Sequence, residues 1–212
     1  LEESREALQP DAIADLERIR DAGKDLLRLV SGVLDFSKID AGKMEPAYAE
    51  VDVHRFVNDT VEAWREHLEA NGNTVLVRCA HDLGVAELDV HLLGNALSNV
   101  IENAGKYTKS GTIAIGAERR RGPDGEFIAF AVRDTGVGMV REHLQQIFDA
   151  FSGVDDVSTT KYGDTGIGLA LTRRICRLMG GDVTAESTLG QGSTFTLTTP
   201  ARREAPAAKQ AA

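Results

Sequence analysis

The 212-residue sequence has few of the residues that staple, kink or anchor a chain: two cysteines, five prolines and one tryptophan, with aromatics at 5 %. Cys79 and Cys176 stand far apart without metal-ligand companions at useful spacing, so neither a disulfide framework nor a zinc site is readable. Both read as core thiols of a reducing compartment. No apolar run approaches the roughly 20 residues of a membrane span, and no basic-plus-apolar leader is present. A formal charge of −9 argues against a surface built to neutralise a nucleic-acid backbone or an anionic membrane. The glycines of "GDTGIGLAL", 163–171, are not followed by the Lys-Ser or Lys-Thr pair of a P-loop. Taken alone, they suit a phosphate cradle or a supple turn opening a helix.

What the chain does have is 42 % apolar residues, enough for a globular protein of one or two domains. From Pro10, "PDAIADLERIRDAGKDLLRLVSGVLDFSKIDAGK" reads as one helix, and proline suits a first turn because that position needs no amide donor. Ala12, Leu16, Ile19, Gly23, Leu26, Val30, Val33 and Ser37 recur in steps of four and three, the seam of a coiled coil or bundle. Ile13, Leu27 and Leu34 widen the stripe toward a multi-helix bundle. Residues 1–8 are too few to cover it. The stripe predicts self-association or a partner helix upstream, with packing on the following segment as the alternative. Gly42 ends the helix, and a domain boundary is expected between 42 and 51.

Residues 53–70 carry Val53, Phe56, Val57, Val61, Trp64 and Leu68 at helical spacing, and "TVLVRC", 74–79, is a short β-branched strand. A helix from Asp89 has an apolar face that includes Leu92, Leu93, Ala96, Leu97, Val100, Ile101 and Ala104. "GTIAIGAERR" and "EFIAFAVRD" are strands joined by "RGPDGE", a turn that favours an antiparallel hairpin. Residues 140–148 and 167–179 read as helices and 181–199 as a second hairpin. Helices covering one face of a mostly antiparallel sheet follow from this mix. Residues 149–166 form a long polar connection that suits a lid, and 201–212 read as a disordered tail.

Asn99 and Asn103 stand four residues apart on one helix and present two amides on one face. Either they cap loops and meet water, or Asn103 ligates magnesium or orients a phosphate without adding charge. "DTGVGM" at 134–139, "GDTGIG" at 163–168 and "GQGSTF" at 190–195 are each weak signals alone. In their order and spacing, "NVIENAGKYT", "VRDTGVGM", "IFDAFS", "GDTGIGLAL" and "GQGSTFTL" resemble the ATP-binding domain of bacterial sensor histidine kinases. "VLDFSKIDAGKME" resembles the second helix of their dimerisation and histidine-phosphotransfer domain.

The resemblance implies an α+β fold at 51–200, a two-layer α/β sandwich with a mixed, mostly antiparallel sheet. Residues 1–44 would be part of the helical dimerisation domain. ATP and Mg2+ are the implied ligands. Asn103 would hold the metal, and Asn99, one turn earlier, would help position metal or phosphates. Lys106 would lie near the phosphates and Tyr107 would line the pocket. Asp134 would accept the adenine amino proton, while Gly136 and Gly138 let the backbone approach the nucleotide. Phe148 and Phe151 resemble the aromatic pair that anchors the start of an ATP lid. Gly163, Thr165, Gly166, Gly168 and Leu169 resemble its far hinge, where helix amides face phosphates. Gly190, Gly192 and Thr194 resemble the final glycine motif. Hydrolases of the wider superfamily carry Glu where Asn99 stands. An amide is a poor general base, so kinase chemistry is the expectation, with Glu102 left as a possible water activator.

The family phosphorylates a histidine followed by an acidic residue, Leu-Arg and Pro. His54, His67, His81, His91 and His143 all lack that setting. The acceptor is expected upstream of Leu1, so this chain should bind ATP without autophosphorylating unless an acceptor helix is supplied in trans. Implied partners are a second copy through the long helix, a response regulator receiver domain and an upstream sensor domain. No nucleic acid is expected. The region reads as cytoplasmic, within a protein either soluble or membrane-anchored. A non-catalytic nucleotide-gated module and an ATP hydrolase are the competing readings. Asp164, where the family often has glycine, either faces solvent or alters ATP binding and lid order.

Overall fold

The computed structural model describes residues 10–123, 125–150 and 166–202. Its first element is α1 (Pro10–Asp40), 31 residues long. Gly42 closes it at φ +63°, with Gly42 N bonded to Ile39 O at 3.0 Å and Lys43 N to Lys38 O at 2.9 Å. These paired bonds satisfy the last carbonyls in a Schellman motif, which requires a left-handed residue at that point.

After α1 come β1 (Ala49–Asp52), α2 (Val53–Glu69), β2 (Thr74–Cys79), β3 (Val85–Leu88) and α3 (Val90–Tyr107). Asp52 caps α2 by accepting from Arg55 N at 2.9 Å. Asp89 caps α3 with Oδ1, which accepts from His91 N and Leu92 N. Its Oδ2 accepts from Ala47 N at 2.7 Å, tying the segment after α1 to the start of α3. The remaining elements are β4 (Thr112–Gly122), β5 (Gly125–Asp134), α4 (Arg141–Gln146), α5 (Gly168–Leu178), β6 (Val183–Thr188) and β7 (Gly192–Pro200).

Five strands form one sheet in the order β2-β4-β5-β7-β6. β2 runs parallel to β4 and every other neighbour is antiparallel, so the sheet is mixed and mostly antiparallel. The strands alternate in burial: in β7, Ser193, Phe195, Leu197 and Thr199 are buried while Thr194, Thr196 and Thr198 are less so. The buried face carries Ile113, Ile115, Phe130, Val132 and Leu197. It is covered by Val57 and Val61 of α2, Leu97 and Ile101 of α3, and Ile175 of α5. This is the two-layer α+β sandwich that the sequence implied. A separate two-stranded pairing, β1 with β3, was not read from the sequence. Four residues are too few to show a period, and the pairing joins residues nearly forty positions apart.

The two faces of α1 differ. Leu29, Phe36 and Ile39 pack against the core of the sandwich. Leu16, Ile19, Leu26, Leu27, Val30, Val33 and Leu34 are 41 to 70 % exposed. One edge of α1 thus docks on the following segment, as one of the sequence alternatives expected, and the remainder of the heptad stripe is exposed. The two thiols are free, Cys176 buried and Cys79 half-buried, and burial pushes the Cys176 thiol up to about 12. The expectations for 1–9, for most of the 149–166 connection and for 203–212 lie outside the described residues.

Candidate nucleotide site

The site is built where α3, the end of β5 and the β6–β7 turn meet. Asp134 ends β5 on the helix-covered face and is 5 % exposed. Its Oδ1 accepts from Gly136 N at 2.8 Å and from Ser193 N at 3.3 Å. Burial raises the pKa of this carboxyl above the usual carboxylate range, and the two backbone N–H groups oppose that rise. The adjacent Thr108 hydroxyl, also buried, opposes the rise as well by its hydrogen bond to this carboxyl.

Close backbone packing explains the glycines. A methyl at Gly136 would fall 2.3 Å from the Tyr107 carbonyl, and that carbonyl accepts from Val137 N at 3.3 Å. Gly138, at φ +63°, has Thr188 O only 2.0 Å from where its methyl would be. Gly192, at φ +96°, lies as closely on Asp134 O, at 2.1 Å. Gly190 N donates to Val137 O at 2.7 Å, and Met139 N to Ser187 Oγ at 2.8 Å. The first and third glycine motifs, more than fifty residues apart, are thus packed backbone against backbone.

The second motif enters from α5. Gly166 has φ +64°, and the N-cap residue of the 11-residue α5, Ile167, makes no side-chain bond to the first amides of the helix. Asn99 Nδ2 donates to Gly168 O at 3.3 Å, so the asparagine face of α3 and the start of α5 are in contact. Among the described residues no three His, Cys, Asp or Glu side chains converge as a metal cluster. A divalent cation here would therefore rely on an amide oxygen and on ligand phosphates, a donor set suited to magnesium. A buried carboxylate held by backbone N–H groups, beside tightly packed glycine turns and near a helix start, fits a purine nucleotide.

The family model described as "Histidine kinase-, DNA gyrase B-, and HSP90-like ATPase" matches residues 88–203. The chain belongs to this family. Among curated proteins it is 33 % identical over 187 residues to hybrid signal transduction histidine kinase B of Dictyostelium discoideum, covering 87 % of this chain and 10 % of that protein. It is 34 % identical over 185 residues to the non-motile and phage-resistance protein of Caulobacter vibrioides, covering 87 % and 22 %. Among solved structures, full-length ShkA in complex with AMPPNP superposes with a TM-score of 0.76 at 29 % identity, covering 91 % of this chain and 39 % of that one. The histidine kinase AdeS of Acinetobacter baumannii shares the fold at a TM-score of 0.72 and 18 % identity, over 92 % and 87 %. The chain thus spans 10 % and 22 % of the length of those two curated relatives. Its match is to the ATP-binding catalytic domain of sensor histidine kinases.

Within this kinase-type domain, Asn99, Asn103, Lys106 and Tyr107 lie on the C-terminal half of α3, with Lys106 Nζ 5.4 Å from the Tyr107 ring centre. Phe148 packs edge-on to Phe195 at 6.5 Å and beneath the Arg173 guanidinium, at a crevice of 530 Å³ between α1 and α5. Leu169 is half-buried against the core. Thr194 is not brought to Asp134. It pairs with Arg133 and Glu186 on the opposite face of the sheet, and Ser193 takes the inward position. Strand alternation from the core residue Phe195 carries that signal in the sequence. Thr108 and Thr172 had no such signal. Phe151, Gly163 and Thr165 lie outside the described residues, as does Asp164.

Proposed function

We propose that this chain binds Mg-ATP between α3, the glycine lining and α5, and that it is the catalytic part of a sensor kinase that phosphorylates a histidine. The observation that carries the reading is the buried Asp134 carboxylate, held by backbone N–H groups of Gly136 and Ser193 between tightly packed glycine turns. An adenine amino group fits the carboxylate, and phosphates fit the amides of α5. Asn103 would hold magnesium, which neutralises charge on the transferred phosphate. Lys106 adds positive charge at the same end of α3, and Tyr107 lines the pocket together with Gly136 and Gly138.

The phosphoryl acceptor is a histidine on a separate helix, which the open stripe of α1 is shaped to receive. From it an aspartate on a receiver domain would take the phosphate. A second copy associates through the same stripe, on the cytoplasmic side. Among the described residues no helix is long and apolar enough to cross a membrane. Hydrolysis is disfavoured because Asn99 stands where a general base is required and its amide already donates to Gly168 O.

Titration with a nonhydrolysable ATP analogue, with and without magnesium, tests the pocket, and adding an acceptor helix in trans with ATP tests the chemistry. Saturable magnesium-dependent binding and acid-labile phosphate on the added helix are the expected results. Free phosphate released without acceptor would instead establish the hydrolase.

A further inference from the structure

The N-cap residue of α5, Ile167, makes no side-chain cap. Two side chains hold the first turn instead, Thr172 one turn further along α5 and Asn99 of α3. Thr172 is fully buried, with Oγ1 2.9 Å from Gly168 O and 3.4 Å from Ala96 O of α3. Asn99 Nδ2 reaches the same Gly168 O at 3.3 Å and Thr172 Oγ1 at 3.5 Å. A carbonyl oxygen only accepts, which fixes Nδ2 as the edge of the Asn99 amide that faces α5. The Thr172 hydroxyl has one proton. Donated to the nearer Gly168 O, it leaves a lone pair for Asn99 Nδ2. Gly168 O thereby receives donors from two helices, and the clasp sits directly behind the amides that open α5.

We infer that Thr172 is a positioning residue for the nucleotide's phosphates, holding the amide-bearing first turn of α5 against α3 through Gly168 and Asn99. The inference rests on the nucleotide-site reading above. It separates phosphate from adenine recognition. The bonds that hold Asp134 come from Gly136, Ser193 and Thr108, whereas Thr172 donates to Gly168 O and accepts from Asn99. Valine at this position keeps the shape of threonine, removes the donor and leaves a buried carbonyl and amide short of a partner.

The test measures equilibrium binding of a magnesium-loaded nonhydrolysable ATP analogue and, separately, of adenosine, on the full chain. Thr172→Val should weaken the triphosphate about tenfold with adenosine unchanged, and Thr172→Ser should restore it to within about twofold. If Thr172→Val fails to fold by circular dichroism, Asn99→Ala, which removes the other donor to Gly168 O, should give the same split. Unchanged triphosphate binding, equal loss of both ligands or no rescue by serine overturns the role of Thr172 and leaves the site reading intact. A wild-type chain that binds neither ligand overturns the site reading, and this inference with it.

Discussion

The guanidinium of Arg174, on α5, lies 4.0 Å from the centre of the Phe36 ring on α1 and pairs with Asp40 one turn further on. This stack joins α5 to α1 at the foot of the exposed stripe. Arg174 is 38 % exposed and Asp40 58 %, so the pair contributes modestly and the stack and crevice packing carry more. Arg174→Ala should lower stability by about 1 kcal/mol and speed proteolysis between 41 and 48, while analogue affinity stays within about twofold. Unaltered cleavage would show that α1 is held by its apolar edge alone.

Asp134 gives a prediction with a definite sign. Its folded pKa lies above the unfolded value because burial disfavours the charge, so the native state binds the proton more tightly. The cost of the buried charge is fully present above the folded pKa and disappears as pH falls below the unfolded value, near 3.9. Asp134→Asn keeps an oxygen for Gly136 N and Ser193 N. It should raise the melting temperature at pH 7, lose that advantage toward pH 4 and weaken adenine nucleotide binding more than about tenfold. Thermal scans at the two pH values and one titration decide it.

The glycines can be ranked. Gly138 combines a positive φ with a backbone oxygen 2.0 Å from a new methyl, whereas Gly190 has a positive φ and open space. Gly190→Ala should cost about 1–2 kcal/mol and Gly138→Ala about 3 kcal/mol or more. Denaturant titration would reveal an inverted order, which would mean that the 134–139 loop is not packed on Thr188.

The stripe on α1 should be separable from the site. Leu26 and Leu27 are 62 % and 70 % exposed. Replacing both by glutamate should shift sedimentation from dimer to monomer and leave analogue affinity within about twofold, because neither side chain packs on the sandwich. A monomeric wild-type chain would show that a second copy does not cover the stripe.

Much of this was legible from periods and local chemistry. The seam from Leu16 to Val33, the apolar face of α3 and the "RGPDGE" hairpin each depend on near neighbours, and the folded chain keeps all three. The four-residue strands β1 and β3 were not legible, since their partners are distant and too short to show alternation. Thr194 was placed at the pocket by motif position, yet alternation from buried Phe195 turns it outward and brings Ser193 to Asp134. Thr172 was invisible in the sequence because a threonine inside an amphipathic helix has no local mark of what its hydroxyl meets.

The order of the asparagine helix and three glycine motifs, read along the chain, was enough to define the kinase-type nucleotide domain and the lack of an acceptor histidine setting. Those properties are carried by residue type and spacing. Folding added the junctions: Gly138 against Thr188, Ser193 on Asp134, Asn99 and Thr172 on Gly168, and Arg174 over Phe36. Apart from Thr172 on Gly168, one turn along a single helix, each joins segments tens of residues apart, where contact depends on packing and backbone direction that no local pattern encodes.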